Sequence, residues 1–222
     1  MRRATSVYMV DRTVPMLPEV LSNDLCSLKA NVDRLSFAAV FVLNENADIV
    51  EEWFGRTVIH SDKRFTYEEA QDVLDGKQDG PFKQELEILN KLAYKLREKK
   101  FAKGAISFED EEIRFHLDET GKPVSVYKKV RGDTQKMIED YMLLANKRVA
   151  EFIGKKHEGK TFVYRNHDLP NIDRIAQLSS FIQGFGYSLK IDDGIVQSTD
   201  LNDLLVRIEG EPEAKLIQTN VL

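Results

Sequence analysis

From Phe37 to Leu43 the chain runs through seven apolar residues without a break, and only Ser36 at their head is polar. Seven residues fall far short of the ~20 that a helix needs to cross a bilayer. The stretch reads instead as a buried strand. Asn44-Glu45-Asn46-Ala47-Asp48 follows as a polar loop, and Ile49 to Ile59 returns as a second strand, so a long hairpin is predicted. Helices are expected to follow it.

Those helices are signalled nearby. Thr66 opens one, with Glu69 three positions on at the spacing of a capping box. Gly76 to Pro81 interrupts the chain before a longer helix from Phe82 to about Lys103, with Leu86, Leu89, Ala93 and Leu96 as its apolar stripe and Gly104 as its stop. Ile106 to Phe108 reads as a short strand. Ile113, Phe115 and Leu117 alternate with Arg114 and His116, and Asp118 to Gly121 turns this strand into Val124–Val130. Asp133 or Thr134 caps a helix reaching about Lys155, along which Met137, Tyr141, Leu144, Ala145, Val149 and Phe152 recur near helical spacing. Beyond it, strands are expected at Thr161–Tyr164 and Tyr187–Ile191, and helices at Ile172–Phe185, Asp200–Ile208 and from Pro212 onward. Residues 1 to 35, punctuated by Pro15 and Pro18, read as turns. The class is mixed α+β, with antiparallel hairpins and long packed helices.

Composition narrows the function. The 222 residues carry 32 Lys+Arg against 37 Asp+Glu, a net charge of −5, which leans against a strongly basic nucleic-acid binder. Cys26 is the single cysteine; it cannot form an internal disulfide, reads as buried core and suits a reducing cytosol. No secretory or membrane segment is expected.

No complete catalytic site emerges from spacing. Glu109-Asp110-Glu111-Glu112 could hold a divalent cation, but it joins two strands, where neighbouring side chains point to opposite faces, so a solvated acidic loop is the plainer reading. His60, His116, His157 and His167 show no metal-ligand spacing. His167-Asp168 suits a loop histidine better than a base with its orienter. Nucleophile elbows and phosphate-cradling glycine motifs are missing. Lys83 through Lys103 holds seven Lys/Arg against three acids, and Lys147 through Lys160 is a second basic stretch. Either reads first as a solvated helix face and second as a flank for phosphates. Tyr8, Tyr67, Phe108, Tyr127 and Tyr141 are rings that could stack on bases, although pattern alone puts most of them in the core.

Several strings, taken together, add what periodicity cannot. Thr5-Ser6-Val7-Tyr8, Asp11-Arg12-Thr13-Val14-Pro15-Met16-Leu17-Pro18, Leu21-Ser22-Asn23-Asp24-Leu25-Cys26-Ser27-Leu28 and Asp33-Arg34-Leu35 occur in that order. Thr57-Val58-Ile59-His60-Ser61, Arg64-Phe65-Thr66-Tyr67-Glu68-Glu69, Ala105-Ile106-Ser107-Phe108 and Ile138-Glu139-Asp140-Tyr141-Met142-Leu143-Leu144-Ala145-Asn146 follow. The series resembles the catalytic domain of ribonuclease R and ribonuclease II, the RNB family, and is closer to ribonuclease R.

The resemblance implies processive hydrolysis of single-stranded RNA from its 3′ end to nucleoside monophosphates, using Mg²⁺ held by an aspartate cluster. It implies that Tyr8 and Phe108 clamp terminal bases, that Tyr67 is a third channel residue, and that Glu139 lines the active-site end. The family's aspartate cluster is expected shortly before the Tyr8 string, and its arginine-bearing string after Leu222. Residues 1–222 therefore match the central portion of a single RNB domain cut at both ends, with no metal expected on this chain and no hydrolysis by it alone. Asn166 departs from the family, which has a branched aliphatic between Arg165 and His167. Two rivals stay open: a non-catalytic RNA-binding remnant of the family, and a scaffold.

Overall fold

The structure, a computed structural model, describes residues 4–106, 112–157, 159–166, 170–192 and 194–221. Its backbone divides into two compact units, Met1–Ala93 with Glu111–Val149, and Tyr94–Asp110 with Ala150–Leu222.

The first unit begins with β1 (Val7–Tyr8) and β2 (Thr13–Val14), paired antiparallel, where turns alone are predicted. One π-helical turn, Val20–Leu25, closes with the Cys26 amide donating to the Leu21 carbonyl at 2.9 Å. Cys26 is exposed there, contrary to its expected burial, because no residue of the turn is itself buried. The long hairpin is present as β3 (Asp33–Leu43) and β4 (Ile49–His60). Between them the Asn44 Oδ1 accepts from the amides of Asn46 and Asp48, both at 2.9 Å, and so closes the loop on itself.

The ladder slips by one residue near that loop. Val42 faces Glu51 while Leu43 faces Ile49, so Val50 is left over as a bulge. The apolar run itself is not the buried strand that was expected. Leu35 is 85% and Phe37 81% exposed, because β3 and β4 form a sheet of two strands. Each residue on this sheet shares its face with its cross-strand partner: Leu35 with Val58, and Phe37 with Arg56, whose guanidinium lies 5.6 Å from the Phe37 ring.

Helix α1 (Tyr67–Leu74) starts on the capping box that the sequence announces. The Glu69 amide donates to the Thr66 hydroxyl at 3.1 Å, and the Thr66 amide donates to the Glu69 carboxylate at 2.8 Å. Helix α2 (Lys83–Ala102) ends at Gly104, whose φ of 87° suits a residue with no side chain. The Ala105 amide reaches the Lys100 carbonyl and the Gly104 amide the Phe101 carbonyl, which is the glycine-terminated helix end expected there. The second hairpin pairs β5 (Glu112–Leu117) with β6 (Pro123–Lys129). Helix α3 (Asp133–Lys156) starts at Asp133 itself, so that Asp133 and Thr134 both lie inside its first turn instead of capping it.

Ala70 and Val73 from α1, Leu86 and Ala93 from α2, and Met137 from α3 form the core of this unit. Two links of high sequence separation add to it. The Arg148 guanidinium grips the Glu52 carboxylate with two bonds of 2.8 Å, tying α3 to β4. The Tyr141 hydroxyl donates to the Leu89 carbonyl at 2.9 Å.

The second unit is helical. Its core joins Leu178 and Ile182 of α4 (Ile172–Gln183), Leu204 of α5 (Ser198–Arg207), Ile208, and Ile217 of α6 (Ala214–Val221). Asn171 caps α4, accepting from the amides of Asp173 and Arg174. The two strands predicted here are not formed, since a strand needs a neighbour to bond. At Thr161–Tyr164 the rings of Phe162 and Tyr164 pack edge to face on each other, 5.1 Å between centroids, and Val163 is exposed. At Tyr187–Ile191 the apolar side chains Tyr187 and Leu189 pack onto the helical core, and the Tyr187 hydroxyl donates to Glu213 at 3.0 Å.

Candidate nucleic-acid interface

Tyr8 stands at the end of β1, opposite Thr13. The tight turn that follows is closed by the Met9 amide, which donates to the Arg12 carbonyl at 2.8 Å. Upstream, the Ser6 hydroxyl accepts from the Met16 amide at 3.0 Å, which fastens the short hairpin to the segment after it. The Tyr8 side chain takes no part in this bonding and is 80% exposed. A large ring left in water has no packing role, whereas its open face is free for a base to stack upon.

Tyr67 is the first residue of α1 and is half-exposed. Its carbonyl accepts from the Thr134 hydroxyl at 3.1 Å, so the main chain beneath the ring is held from α3. Glu139 lies further along α3, partly exposed, with its carboxylate accepting from the Arg131 guanidinium just before the helix. The arginine occupies one oxygen of that carboxylate. Phe108, the second clamp candidate, lies outside the described residues. Glu109, Asp110, Glu111, His167 and Asp168 do so as well.

The structure brings Tyr67 and the helix of Glu139 together through Thr134. Among the described residues no hydrogen bond or ring contact joins Tyr8 to Tyr67. The other aromatic candidates make contacts within the chain. The Tyr127 ring stacks on His116 at 4.3 Å across the second hairpin. Tyr141 is held by Leu89, and burial first, then the neighbouring Asp140 charge, pushes its hydroxyl up to about 12. Part of the basic stretch of α2 is turned to its own aromatics, with Arg97 over Tyr94 at 5.0 Å and Lys100 over Phe101 at 5.3 Å. A separate shallow cleft in the second unit, lined by Ser188, Lys190, Asp200, Asp203, Val206 and Arg207, contains none of the predicted site residues.

Thr134 and Gln71 are the residues that sequence reasoning missed. Thr134 reads as a helix cap, and nothing in a linear pattern shows that its hydroxyl bonds a carbonyl 67 positions away. Among the described residues no group of three or more His, Cys, Asp or Glu side chains is placed to hold an ion, so they do not fit the Mg²⁺ that the resemblance implies. Likewise no helix among them is long and apolar enough to cross a membrane.

Comparison with known proteins agrees with this arrangement of short hairpins and helices. Ribonuclease R of Buchnera aphidicola is 35% identical over 226 aligned residues, covering 100% of this chain and 31% of that protein. A protein of Arabidopsis thaliana named inactive exonuclease DIS3L2 is 32% identical over 235, covering 99% of the chain and 22% of its own length. The chain thus spans between a fifth and a third of the length of these relatives. A solved structure of Mycoplasma genitalium RNase R in complex with ribose-methylated single-stranded RNA superposes with a TM-score of 0.89 over 98% of this chain and 34% of that one, at 23% identity, which is a likeness of fold. The profile of the RNB domain matches residues 1–222. With a family profile spanning its whole length and relatives that share a third of its residues, this chain belongs to the RNB domain family.

Proposed function

We propose that this chain is the central portion of a single RNB catalytic domain from a ribonuclease R-like exoribonuclease that degrades single-stranded RNA from the 3′ end to nucleoside monophosphates in the cytosol. Within that portion, Tyr8, Tyr67 and Phe108 contact RNA bases and Glu139 lines the active-site end. The observation that carries the reading is the Tyr8 ring, standing 80% exposed on a hairpin too short to need it. The RNB profile match and the RNA-bound structural neighbour support the substrate class.

The proposal includes inactivity of the 222-residue polypeptide by itself. Mg²⁺ chemistry in the complete enzyme would rest on carboxylates other than the described ones, which form no group able to hold an ion.

Titration of a 5′-labelled single-stranded oligonucleotide, followed by fluorescence anisotropy at about 50 and 200 mM salt, tests the binding half of the reading. The chain is expected to bind at the lower salt, and Tyr8→Ala to weaken that binding by ~1–3 kcal/mol, the value of one stacked base, with no loss of thermal stability. Equal binding by the variant would remove Tyr8 from the interface. Mg²⁺-dependent release of mononucleotides by the purified chain would overturn the inactivity.

A second reading, a non-catalytic member of the family, is favoured by the Arabidopsis relative whose name calls it inactive. Reading the coding DNA on both sides of this sequence and assaying the protein it specifies separates the two. Metal-dependent hydrolysis supports the first, and RNA binding without hydrolysis supports the second.

A further inference from the structure

We infer that Thr134 and Gln71 are positioning residues for RNA contact by Tyr67, an inference that rests on the reading of Tyr67 as a ring facing RNA. Thr134 is 1% exposed, although it carries a hydroxyl. A buried hydroxyl must be bonded to be tolerated, and this one has a single proton to give. Its nearest acceptor is the Tyr67 carbonyl at 3.1 Å, ahead of the Gln135 and Gln71 side-chain oxygens at 3.2 and 3.4 Å.

The Thr134 amide, one of the donors that a helix start leaves without an intrahelical partner, is taken by the Gln71 Oε1 at 3.2 Å. Gln71 lies four residues after Tyr67, hence on the same face of α1. Its amide group is itself oriented, since Nε2 donates to Asp75 at 2.8 Å and Asp75 in turn holds Lys77 at 2.7 Å. Space at the junction is filled. A Cβ added at Gly132 would lie 2.5 Å from the Gln71 Oε1, so the start of α3 presses directly on α1 there.

Apolar packing of Met137 on Ala70 and Val73 holds the two helices together, but such packing is non-directional. The two hydrogen bonds add direction at the end where Tyr67 sits. They fix the first turn of α1, and with it the origin of the Tyr67 ring, relative to the helix that carries Glu139. Thr134→Val keeps shape and apolar contact while removing the bond to the Tyr67 carbonyl.

The test measures oligonucleotide affinity and melting temperature for the chain and for Tyr67→Ala, Thr134→Val, Thr134→Ser and the double variant Tyr67→Ala/Thr134→Val. Thr134→Val is expected to weaken binding about three- to tenfold, Thr134→Ser to restore it, and Thr134→Val to have no further effect once Tyr67 is alanine. A merely structural role predicts equal weakening in both backgrounds and overturns the inference. So does unchanged affinity in Thr134→Val while Tyr67→Ala binds poorly. If Tyr67→Ala binds as the parent does, the reading of Tyr67 fails and the positioning role falls with it. Should Thr134→Val not fold, Gln71→Met removes the second acceptor on the surface of α1 and must show the same dependence on Tyr67.

Discussion

Tyr141 sits half-buried on α3, its hydroxyl donating to the Leu89 carbonyl, and its ionisation is pushed from 10.0 up to about 12, mainly by burial. The folded chain therefore keeps this proton more tightly than the unfolded chain does. The stability tied to it is fully present below pH 10 and is lost as pH rises from 10 toward 12. Denaturant melts across that window should show an alkaline loss that Tyr141→Phe makes shallower. At neutral pH the same variant should cost about 1 kcal/mol for the missing hydrogen bond. A pH dependence identical in the two proteins would mean that Tyr141 is not the titrating group. Tyr8, by contrast, is so open to water that its removal should be silent in every such melt.

At the scale of elements, α1 is short enough for its start to matter. Thr66→Ala removes one half of the capping box and should destabilise the chain by about 1 kcal/mol, read as a lower denaturation midpoint. Glu69→Ala should show a smaller loss. This box was legible in the sequence because capping is local: Thr66 and Glu69 are three residues apart, and no tertiary contact is needed to form it. The two longer hairpins and the C-terminal end of α2 were legible for the same reason, through Asn44, Asp118 and Gly104. The misread elements depend on distant partners. Thr161–Tyr164 and Tyr187–Ile191 have the composition of strands, but alternation records only that a segment has two faces, and in Leu189 and Tyr187 the apolar face meets helices instead of a sheet. The same limit hid the Thr134–Tyr67 bond, while Tyr8, Tyr67, Phe108 and Glu139 came from family resemblance and not from any spacing rule.

For the molecule as a whole, charge and exposed apolar surface set the behaviour in solution. A net charge of −5 opposes approach to RNA, so a steep fall of binding with salt would have to come from local Lys and Arg contacts to phosphate and not from the aromatic rings. Leu35, Phe37 and Val58 share one face of the first hairpin and stand in water together, a patch of the kind that draws proteins into contact. Replacing Leu35 and Phe37 by serine should reduce self-association in light scattering and lower the folding free energy by about 1 kcal/mol through the lost cross-strand pairs. Unchanged scattering would place the sticky surface elsewhere. The bulge at Val50 bears on how this hairpin tolerates changes in length. Loss of the Val50 codon would leave a regular ladder, with Glu51 still opposite Val42 and every later residue on its own side. Loss of a codon from the middle of β4 would instead turn half the strand over, exchanging the face of Trp53 for that of Phe54. The hairpin thus has one place where evolution can shorten it without rewriting its two surfaces.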